Sequence, residues 1–260
     1  MRFLCLHGMG TNSAIYEAQL SPIRAHLGPE HEFVFVDGIL ESEPADSVAG
    51  IFPPPFVCYY SKPTQDQLEA AYDLVEEVMD EEGPFDGVFG FSQGGALIAS
   101  ILLQRRKTHP TAPDLFRVAV FTCASLPFDL DSNRDNLGRD KYHTVIDPRT
   151  GAVSVRDFVA GIDHVEATKF NGYMAAPEPG ELPLRRYHPG REPRRIQIPT
   201  IHIIGERDPF APQSSALVGL CEDAVVVTHE RGHELSRDRL FAKKAAQAIS
   251  AAVSRALFRC

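Results

Sequence analysis

The sequence predicts an α/β fold with a mostly parallel central sheet flanked by helices, and two observations support this prediction. The first is a set of short apolar stretches typical of buried strands, at positions 3–6, 32–36, 85–90, 116–123, 199–205 and 224–228. The second is a series of helix-forming stretches between or after them, at positions 13–27, 64–82, 94–106 and 236–258. Strands that alternate with helices form parallel sheets whose two faces are covered by those helices.

The early elements have clear local signals. The strand at 3–6 is a short apolar run that stops at the segment HGMGTN. The segment at 50–63, GIFPPPFVCYYSKP, contains three consecutive prolines, which favours a loop. Thr64 and Gln67 fit a capping box at the start of the helix at 64–82. That helix has the strongest pattern, because its apolar residues recur at helical spacing: Leu68, Ala71, Tyr72, Val75, Val78 and Met79.

Residues 126–195 break the alternation of strands and helices. This stretch is polar and contains several prolines and glycines, and only positions 155–172 look helical. The whole chain has 260 residues, a length that suits one α/β domain with an insertion. We therefore expect a single domain over 1–260, with 126–195 as an insertion or lid above the carboxyl edge of the sheet.

Charge and cysteine usage narrow the classes of protein. A net charge of −9 argues against nucleic-acid binding, because no basic face is evident that could neutralise phosphates. Dispersed cysteines without a C-x-x-C pair indicate a reducing compartment. No apolar run is long enough for a membrane span or a signal peptide, so we expect a cytoplasmic protein without membrane contacts. The one basic cluster is interpreted first as a solvated loop: Arg185, Arg186, Arg191, Arg194 and Arg195.

The segment GFSQG at positions 90–94 joins a predicted strand to a predicted helix. This is the context of the G-x-S-x-G nucleophile elbow, in which a sharp turn lifts the serine above the end of the sheet. Glycines two residues before and after the serine remove side chains that would crowd the turn. A serine in an ordinary glycine-rich turn is the alternative. The strand before Ser92 and the helix after it favour the nucleophile.

A serine nucleophile needs a base and an acid that orients the base. In this architecture they follow the serine in the order acid, then histidine, each after a strand. Asp208 follows the strand at 199–205, and His233 follows the last strand. We predict Ser92, Asp208 and His233 as the catalytic residues, with Glu206 and His229 as competing candidates for the acid and the base.

The segment HERGH at positions 229–233 also matches the H-E-x-x-H zinc pattern. That motif requires a helix that places both histidines on one face, whereas this segment follows a predicted strand. Ser236 and Arg239 stand where the extended zinc motif needs a glycine and a third histidine. We therefore expect no metal site.

Two backbone N–H groups are predicted to form an oxyanion hole. One belongs to Gln93, directly after the nucleophile, and the other to Met9 in the loop after the first strand. Gly8 and Gly10 are alternatives to Met9, and His7 is expected to shape the loop. A phosphate-binding turn is the competing interpretation of this loop, but the third glycine and the G-K-[ST] motif of nucleotide sites are absent.

Four segments carry a resemblance to a known family: FLCLHGMGTNSAIYEAQL, GPFDGVFGFSQGGALIASILL, IPTIHIIGERDPF and HERGHELS. With them the chain resembles the family serine hydrolases, the FSH-type α/β-hydrolases related to fungal carboxylesterases and thioesterases. The resemblance runs from end to end and is weakest over 126–195. It implies the α/β-hydrolase fold, the same three catalytic residues and no cofactor.

Several members of that family release acyl chains from the carrier domain of a polyketide synthase. The resemblance therefore implies an acyl thioester or ester substrate and suggests fungal secondary metabolism as the setting. The acyl carrier domain of a synthase is a candidate partner, which the arginines at 185–195 could contact. The segment IFPPPFVCYY and the insertion residues Phe158, Phe170, Tyr173 and Met174 are candidates for an apolar acyl pocket.

Two other functions compete with thioester cleavage. A general carboxylesterase acting on small esters would use the same residues. A non-enzymatic binding protein of the same fold would not need them, so an intact set of serine, aspartate and histidine argues against it.

Overall fold

A six-stranded parallel sheet forms the centre of the molecule in the computed structural model, which describes residues 1–131, 142–146, 153–157, 184–190 and 192–258. Its strands are β1 (Arg2–Leu6), β2 (Glu32–Val36), β5 (Gly87–Phe91), β6 (Val118–Thr122), β9 (Ile196–Gly205) and β10 (Cys221–His229). They lie in the order β10-β9-β6-β5-β1-β2, and every neighbouring pair is parallel. The predicted α/β fold with a mostly parallel sheet is confirmed.

Helices cover both faces of the sheet. They are α1 (Ser13–Leu27), α2 (Gln65–Glu82), α3 (Gln93–Thr108), α4 (Ala211–Val218) and α5 (Arg239–Phe258). On one face α1 and α5 pack together, and their buried residues share a core with the strands. On the other face α2, α3 and α4 contribute to a second core. Covering both faces explains why β5 and β6 are buried along their whole length and read as continuous apolar runs.

The starts of helices α1 and α2 are stabilised in different ways, and α2 does not begin with the predicted capping box. Asn12 caps α1 by accepting a hydrogen bond from the Ile15 N–H at 2.8 Å. Thr64 makes no such side-chain bond at the start of α2, so the predicted capping box is wrong. The Gln67 carboxamide oxygen instead accepts the N–H groups of Ser61 and Lys62, which fixes the turn that leads into the helix.

A small antiparallel ladder lies outside the main sheet, and one of its two strands falls in the segment predicted as a loop. It pairs β3 (Leu40–Glu41) with β4 (Val57–Cys58), and the chain between them contains the three prolines. Thr11 extends the ladder by bridging to Val57. Strands of two residues are too short to give a periodic sequence signal.

The described residues include only the ends and two strands of the predicted insertion at 126–195. The ends meet: Phe128 pairs with Arg186 in an antiparallel bridge, and the Asp129 N–H donates to the Arg185 carbonyl. The two strands, β7 (Tyr142–Ile146) and β8 (Val153–Asp157), pair with each other in antiparallel fashion. Positions 155–157, predicted as the start of a helix, therefore lie in a strand, and positions 158–172 lie outside the described residues.

None of the helices within the described ranges combines the length and the apolar character needed to cross a membrane.

Candidate active site

The site lies where the strand order of the sheet reverses. From β1 the chain goes outward to β2 on one side, whereas β5, β6, β9 and β10 follow in order on the other side. The loops that leave neighbouring strands β1 and β5 diverge at such a point and open a crevice at the carboxyl edge of the sheet. The loop with Met9 follows β1, and Ser92 follows β5.

The turn at Ser92 has the strained geometry that the glycines were predicted to allow. Ser92 has φ 50° and ψ −110°, a backbone conformation that residues other than glycine rarely adopt. A Cβ atom on Gly90 would lie 2.5 Å from the Gly95 Cα, and one on Gly94 would lie 2.3 Å from the Leu6 carbonyl oxygen. Neither contact can be relieved by a side-chain rotation, because both involve backbone atoms. The motif thus packs α3 directly against the ends of β1 and β5.

The structure brings the three predicted catalytic residues together. Ser92 Oγ lies 2.8 Å from His233 Nε2, and His233 Nδ1 lies 2.8 Å from Asp208 Oδ2. A carboxylate only accepts hydrogen bonds, so the Nδ1 atom carries the hydrogen and Nε2 is left to accept the Ser92 hydroxyl. This is the geometry of a nucleophile, a base and an orienting acid.

The surroundings hold the acid and the base in place. The Asp208 side chain is fully buried, and its other oxygen accepts the Phe210 N–H at 2.8 Å. The His233 ring lies between two aromatic rings, with centroids 5.4 Å from Phe91 and 5.2 Å from Phe210. The thiol of Cys123 also lies near Asp208, and burial raises its pKa well above the usual value, so it stays a neutral neighbour.

The competing candidates face elsewhere. Glu206 accepts a hydrogen bond from the Thr228 hydroxyl, and both residues are exposed to solvent. His229 ends β10 and packs edge-on against Phe241 with centroids 5.0 Å apart. Burial lowers the pKa of its imidazole, which keeps the ring neutral. His233 contacts Ser92 instead, so the two histidines of the HERGH segment do not share a helix face as a zinc motif requires.

The two predicted oxyanion donors both line the cavity at Ser92. Gln93 is the first residue of α3, where N–H groups have no partner within the helix. Within the described residues, no backbone carbonyl accepts the N–H of Met9 or of Gln93. The Gly10 N–H donates to the Val57 carbonyl, which removes one of the alternatives to Met9. Gly8 stays open as the other alternative.

The buried His7 side chain fixes the shape of the loop after β1. Its ring is fully buried, and Nδ1 bonds the Gly8 carbonyl at 2.7 Å while Nε2 accepts the Gly38 N–H at 3.0 Å. Burial lowers the pKa of the imidazole to about 4, so the ring is neutral and its two nitrogens keep distinct roles. These contacts give His7 the structural part that the sequence predicted.

A cavity of about 650 Å³ opens at Ser92. Tyr60 lines it, as the prediction for the segment IFPPPFVCYY anticipated, whereas Phe158, Phe170, Tyr173 and Met174 lie outside the described residues. Several other residues that line the cavity were not predicted: Ala45, Asp46, Ser47, Ser125, Pro209, Phe210 and Glu234. Pro209 and Phe210 directly follow the predicted acid and Glu234 directly follows the predicted base, so these three had a usable sequence signal.

Of the arginines at 185–195 that the structure describes, none lines the cavity at Ser92. Arg194 and Arg195 directly precede β9, so they lie at the amino edge of the sheet, opposite Ser92. The Arg186 guanidinium stacks over the Phe128 ring at 4.0 Å and donates to the Leu126 carbonyl, and burial lowers its pKa to about 10. Arg191 lies outside the described residues. Neither Arg186 nor the pair at 194–195 offers an exposed cation beside the site.

The sheet, the elbow and the order of the site residues define an α/β-hydrolase. Residues 1–245 match the family model described as "Serine hydrolase (FSH1)", and the chain belongs to this family of serine hydrolase enzymes. The resemblance stated from the sequence is therefore confirmed.

Relatives and solved structures agree with that class. The chain is 31% identical to "Esterase alnB" of Emericella nidulans, over 91% of this chain and 90% of the relative. It is 29% identical to "Hydrolase FUB4" of Fusarium oxysporum f. sp. lycopersici, over 91% of this chain and 92% of the relative. A carboxylesterase from Mesorhizobium loti has the same fold, with a TM-score of 0.52 and 16% identity over 96% of this chain and 88% of that protein.

Proposed function

We propose that this serine hydrolase cleaves an acyl thioester or ester through Ser92, His233 and Asp208, with the N–H groups of Met9 and Gln93 as the oxyanion hole. The observation that carries the proposal is the pair of 2.8 Å contacts that joins Ser92 to His233 and His233 to Asp208. A hydroxyl is a weak nucleophile near neutral pH, and this arrangement supplies the base that it needs.

Catalysis proceeds in two halves. Ser92 Oγ attacks the carbonyl carbon while its proton moves to His233 Nε2, and Asp208 stabilises the imidazolium that forms. The carbonyl oxygen becomes an oxyanion that accepts the N–H groups of Met9 and Gln93. Collapse of this intermediate releases the thiol or alcohol, which takes its proton from His233. Water then attacks the acyl-serine with His233 again acting as the base, and the acid leaves.

A fluorophosphonate probe tests the nucleophile, because it phosphonylates activated serines. Mass spectrometry of wild-type protein should find the adduct at Ser92, and a Ser92→Ala variant should not react. Ser125→Ala is the matched control, since Ser125 is a second, buried serine that lines the same cavity. Absence of labelling in folded wild type would refute the proposal and favour a non-enzymatic binding protein. Labelling that survives Ser92→Ala would also refute the proposed nucleophile, because it would show that another serine is the activated one.

We favour an acyl chain on the carrier domain of a polyketide synthase as the substrate, in a cytoplasmic setting of fungal secondary metabolism. Free thiols at Cys5, Cys58, Cys123 and Cys221 support a reducing compartment. The second candidate is a small oxygen ester, which is favoured by relatives that are named esterases.

Matched substrates separate the two candidates. The same acyl chain is offered as an ethyl ester, as an N-acetylcysteamine thioester and on a carrier domain. Thioester release predicts the highest kcat/KM on the carrier-bound chain, whereas equal or better turnover of the ethyl ester would establish the carboxylesterase.

A further inference from the structure

The segment Val57–Tyr60 joins the two halves of the oxyanion hole. Its backbone pairs with the loop after β1, since the Gly10 N–H donates to the Val57 carbonyl at 3.0 Å and the Val57 N–H donates to the Thr11 carbonyl at 2.8 Å. On the other side of Met9, the His7 N–H donates to the Tyr59 hydroxyl at 3.0 Å. The loop is therefore held by this segment both before and after Met9.

The same segment also holds Gln93. The Gln93 carboxamide oxygen accepts the Tyr59 N–H at 2.9 Å, and its NH₂ group donates to the Tyr60 carbonyl at 2.7 Å. Gln93 is buried, so these two bonds form away from water and are costly to leave unmade. A carboxamide can satisfy one donor and one acceptor at once, because its oxygen accepts and its NH₂ group donates.

Tyr59 is the residue at which these contacts converge. Its side chain is fully buried, and its hydroxyl accepts the His7 N–H while it donates to the Val36 carbonyl at 2.8 Å. Its ring lies against the His7 ring with centroids 4.8 Å apart. Burial raises the pKa of the phenol well above its usual value, so the hydroxyl keeps the hydrogen that it donates.

The backbone around Tyr59 lies so close to the chain after β2 that position 38 has room only for glycine. A Cβ atom on Gly38 would lie 2.4 Å from the Cys58 carbonyl carbon and 2.8 Å from the Tyr59 nitrogen. The Gly38 N–H also donates to His7 Nε2, so β2, the loop after β1 and this segment are packed as one unit.

We propose that Tyr59 is a positioning residue, whose hydroxyl and backbone N–H set the relative placement of the Met9 and Gln93 N–H groups in the oxyanion hole. The inference rests on the proposed function of those two groups. Tyr59 does not act on the substrate carbonyl or on Ser92 directly. It acts through its contacts with His7 and with the Gln93 side chain. Preorganised donors stabilise the transition state more than the bound substrate, so the effect belongs in kcat.

Tyr59→Phe tests the proposal, because it keeps the ring and removes only the hydroxyl. We expect kcat to fall by about 10- to 100-fold with KM within about twofold of wild type, a loss on the scale of a weakened oxyanion donor. Affinity for a trifluoromethyl ketone that carries the acyl chain of the substrate should fall by a similar factor, since its serine adduct places an oxyanion in the hole.

Tyr16→Phe is the matched control. Tyr16 is also a fully buried tyrosine, and within the described residues its hydroxyl has no hydrogen-bond partner. Both variants lose one buried oxygen, but only Tyr59→Phe breaks contacts to the oxyanion loop. Gln93→Met is a second test from the other side, because it keeps the backbone N–H and removes both side-chain bonds; it should give the same fall in kcat at unchanged KM.

Thermal unfolding of every variant separates a positioning role from a structural one. If Tyr59→Phe lowers only Tm and keeps wild-type kcat below its unfolding transition, the inference is wrong and Tyr59 serves stability alone. The inference also fails if KM rises while kcat is unchanged. If wild type reacts with the fluorophosphonate but Tyr59→Phe and Tyr16→Phe have equal kcat, this inference is wrong and the proposed function stands. If wild type does not react, both this inference and the proposed function are wrong.

Discussion

The buried histidine His202 makes the stability of the fold depend on pH. Its side chain lies in β9 and stacks against Phe121 with ring centroids 5.2 Å apart, and its Nε2 bonds the Thr200 hydroxyl at 3.1 Å. The residue is 1% exposed, and burial lowers the pKa of its imidazole from 6.5 to about 3. A charged ring in this core would lose its hydration without gaining an opposite charge.

The sign and size of the effect follow from proton binding. In the unfolded chain the imidazole takes up a proton near pH 6.5, whereas in the folded protein it stays neutral until about pH 3. Between these values the unfolded state binds more protons, so the free energy of unfolding falls as the pH falls. Each pH unit below 6.5 costs about 1.36 kcal/mol, so lowering the pH from about 7.5 to about 4.5 removes about 3 kcal/mol through His202 alone.

Urea unfolding at those two pH values measures this loss in wild type and in His202→Gln. Glutamine keeps a polar group within reach of Thr200 but does not titrate, so the variant should lose about 3 kcal/mol less than wild type on acidification. His26→Gln is the control, because it removes an exposed histidine from α1. The reasoning is refuted if wild type and His202→Gln lose the same free energy of unfolding on acidification. It is also refuted if His26→Gln reduces that loss as much as His202→Gln does.

Three further predictions concern the site and the fold. Asp208→Asn should lower kcat by about 10²- to 10⁴-fold with little change in Tm, because it keeps the shape of the acid but no longer orients the base; wild-type kcat would contradict the predicted role. Gly94→Ala should lower the free energy of unfolding by about 2–4 kcal/mol in urea, because its Cβ would lie 2.3 Å from the Leu6 carbonyl oxygen; an unchanged midpoint would show that α3 can shift freely. Asn12→Ala should cost about 1–2 kcal/mol in the same assay, since it removes the cap of α1 and the hydrogen bond to the Pro55 carbonyl, whereas Asn12→Asp should recover only part of that loss, because a carboxylate can accept the Ile15 N–H but cannot donate to Pro55.

The sequence predicted those parts of the fold that depend on local pattern. The strands β1, β5 and β6 are continuous apolar runs because both faces of the sheet are covered, and such runs can be recognised without knowledge of their partners. Helix α4 has eight residues and was missed, since so short an element gives too few turns for a periodic signal. The contact of Gln67 with the turn before α2 was also missed, because a capping box and a turn contact use the same residue type at the same position.

The prediction of the catalytic residues also depends on local pattern. Strand-turn-helix context and chain order indicate Ser92, Asp208 and His233 as candidates, and the structure brings Ser92 to His233 and His233 to Asp208 within hydrogen-bonding distance. Spacing could not separate Glu206 from Asp208, since both follow the same strand. The choice depends on which carboxylate is buried beneath the histidine, which is a property of packing between β9 and β10.

The oxyanion hole shows why a motif does not by itself specify a site. The loop after β1 and the elbow after β5 each carry a recognisable pattern, and each supplies one predicted donor. The distance between the donors depends on Val57–Tyr60, a segment with no motif that contacts the loop through Val57 and Tyr59 and the elbow through the Gln93 side chain. Among the described residues, the backbone hydrogen bond that joins the two motifs outside the strand pairing runs from the Gly94 N–H to the His7 carbonyl at 3.1 Å. The contacts at Tyr59 add further restraints between the loop and the elbow, so a substitution at Tyr59 should lower kcat although this segment carries no motif.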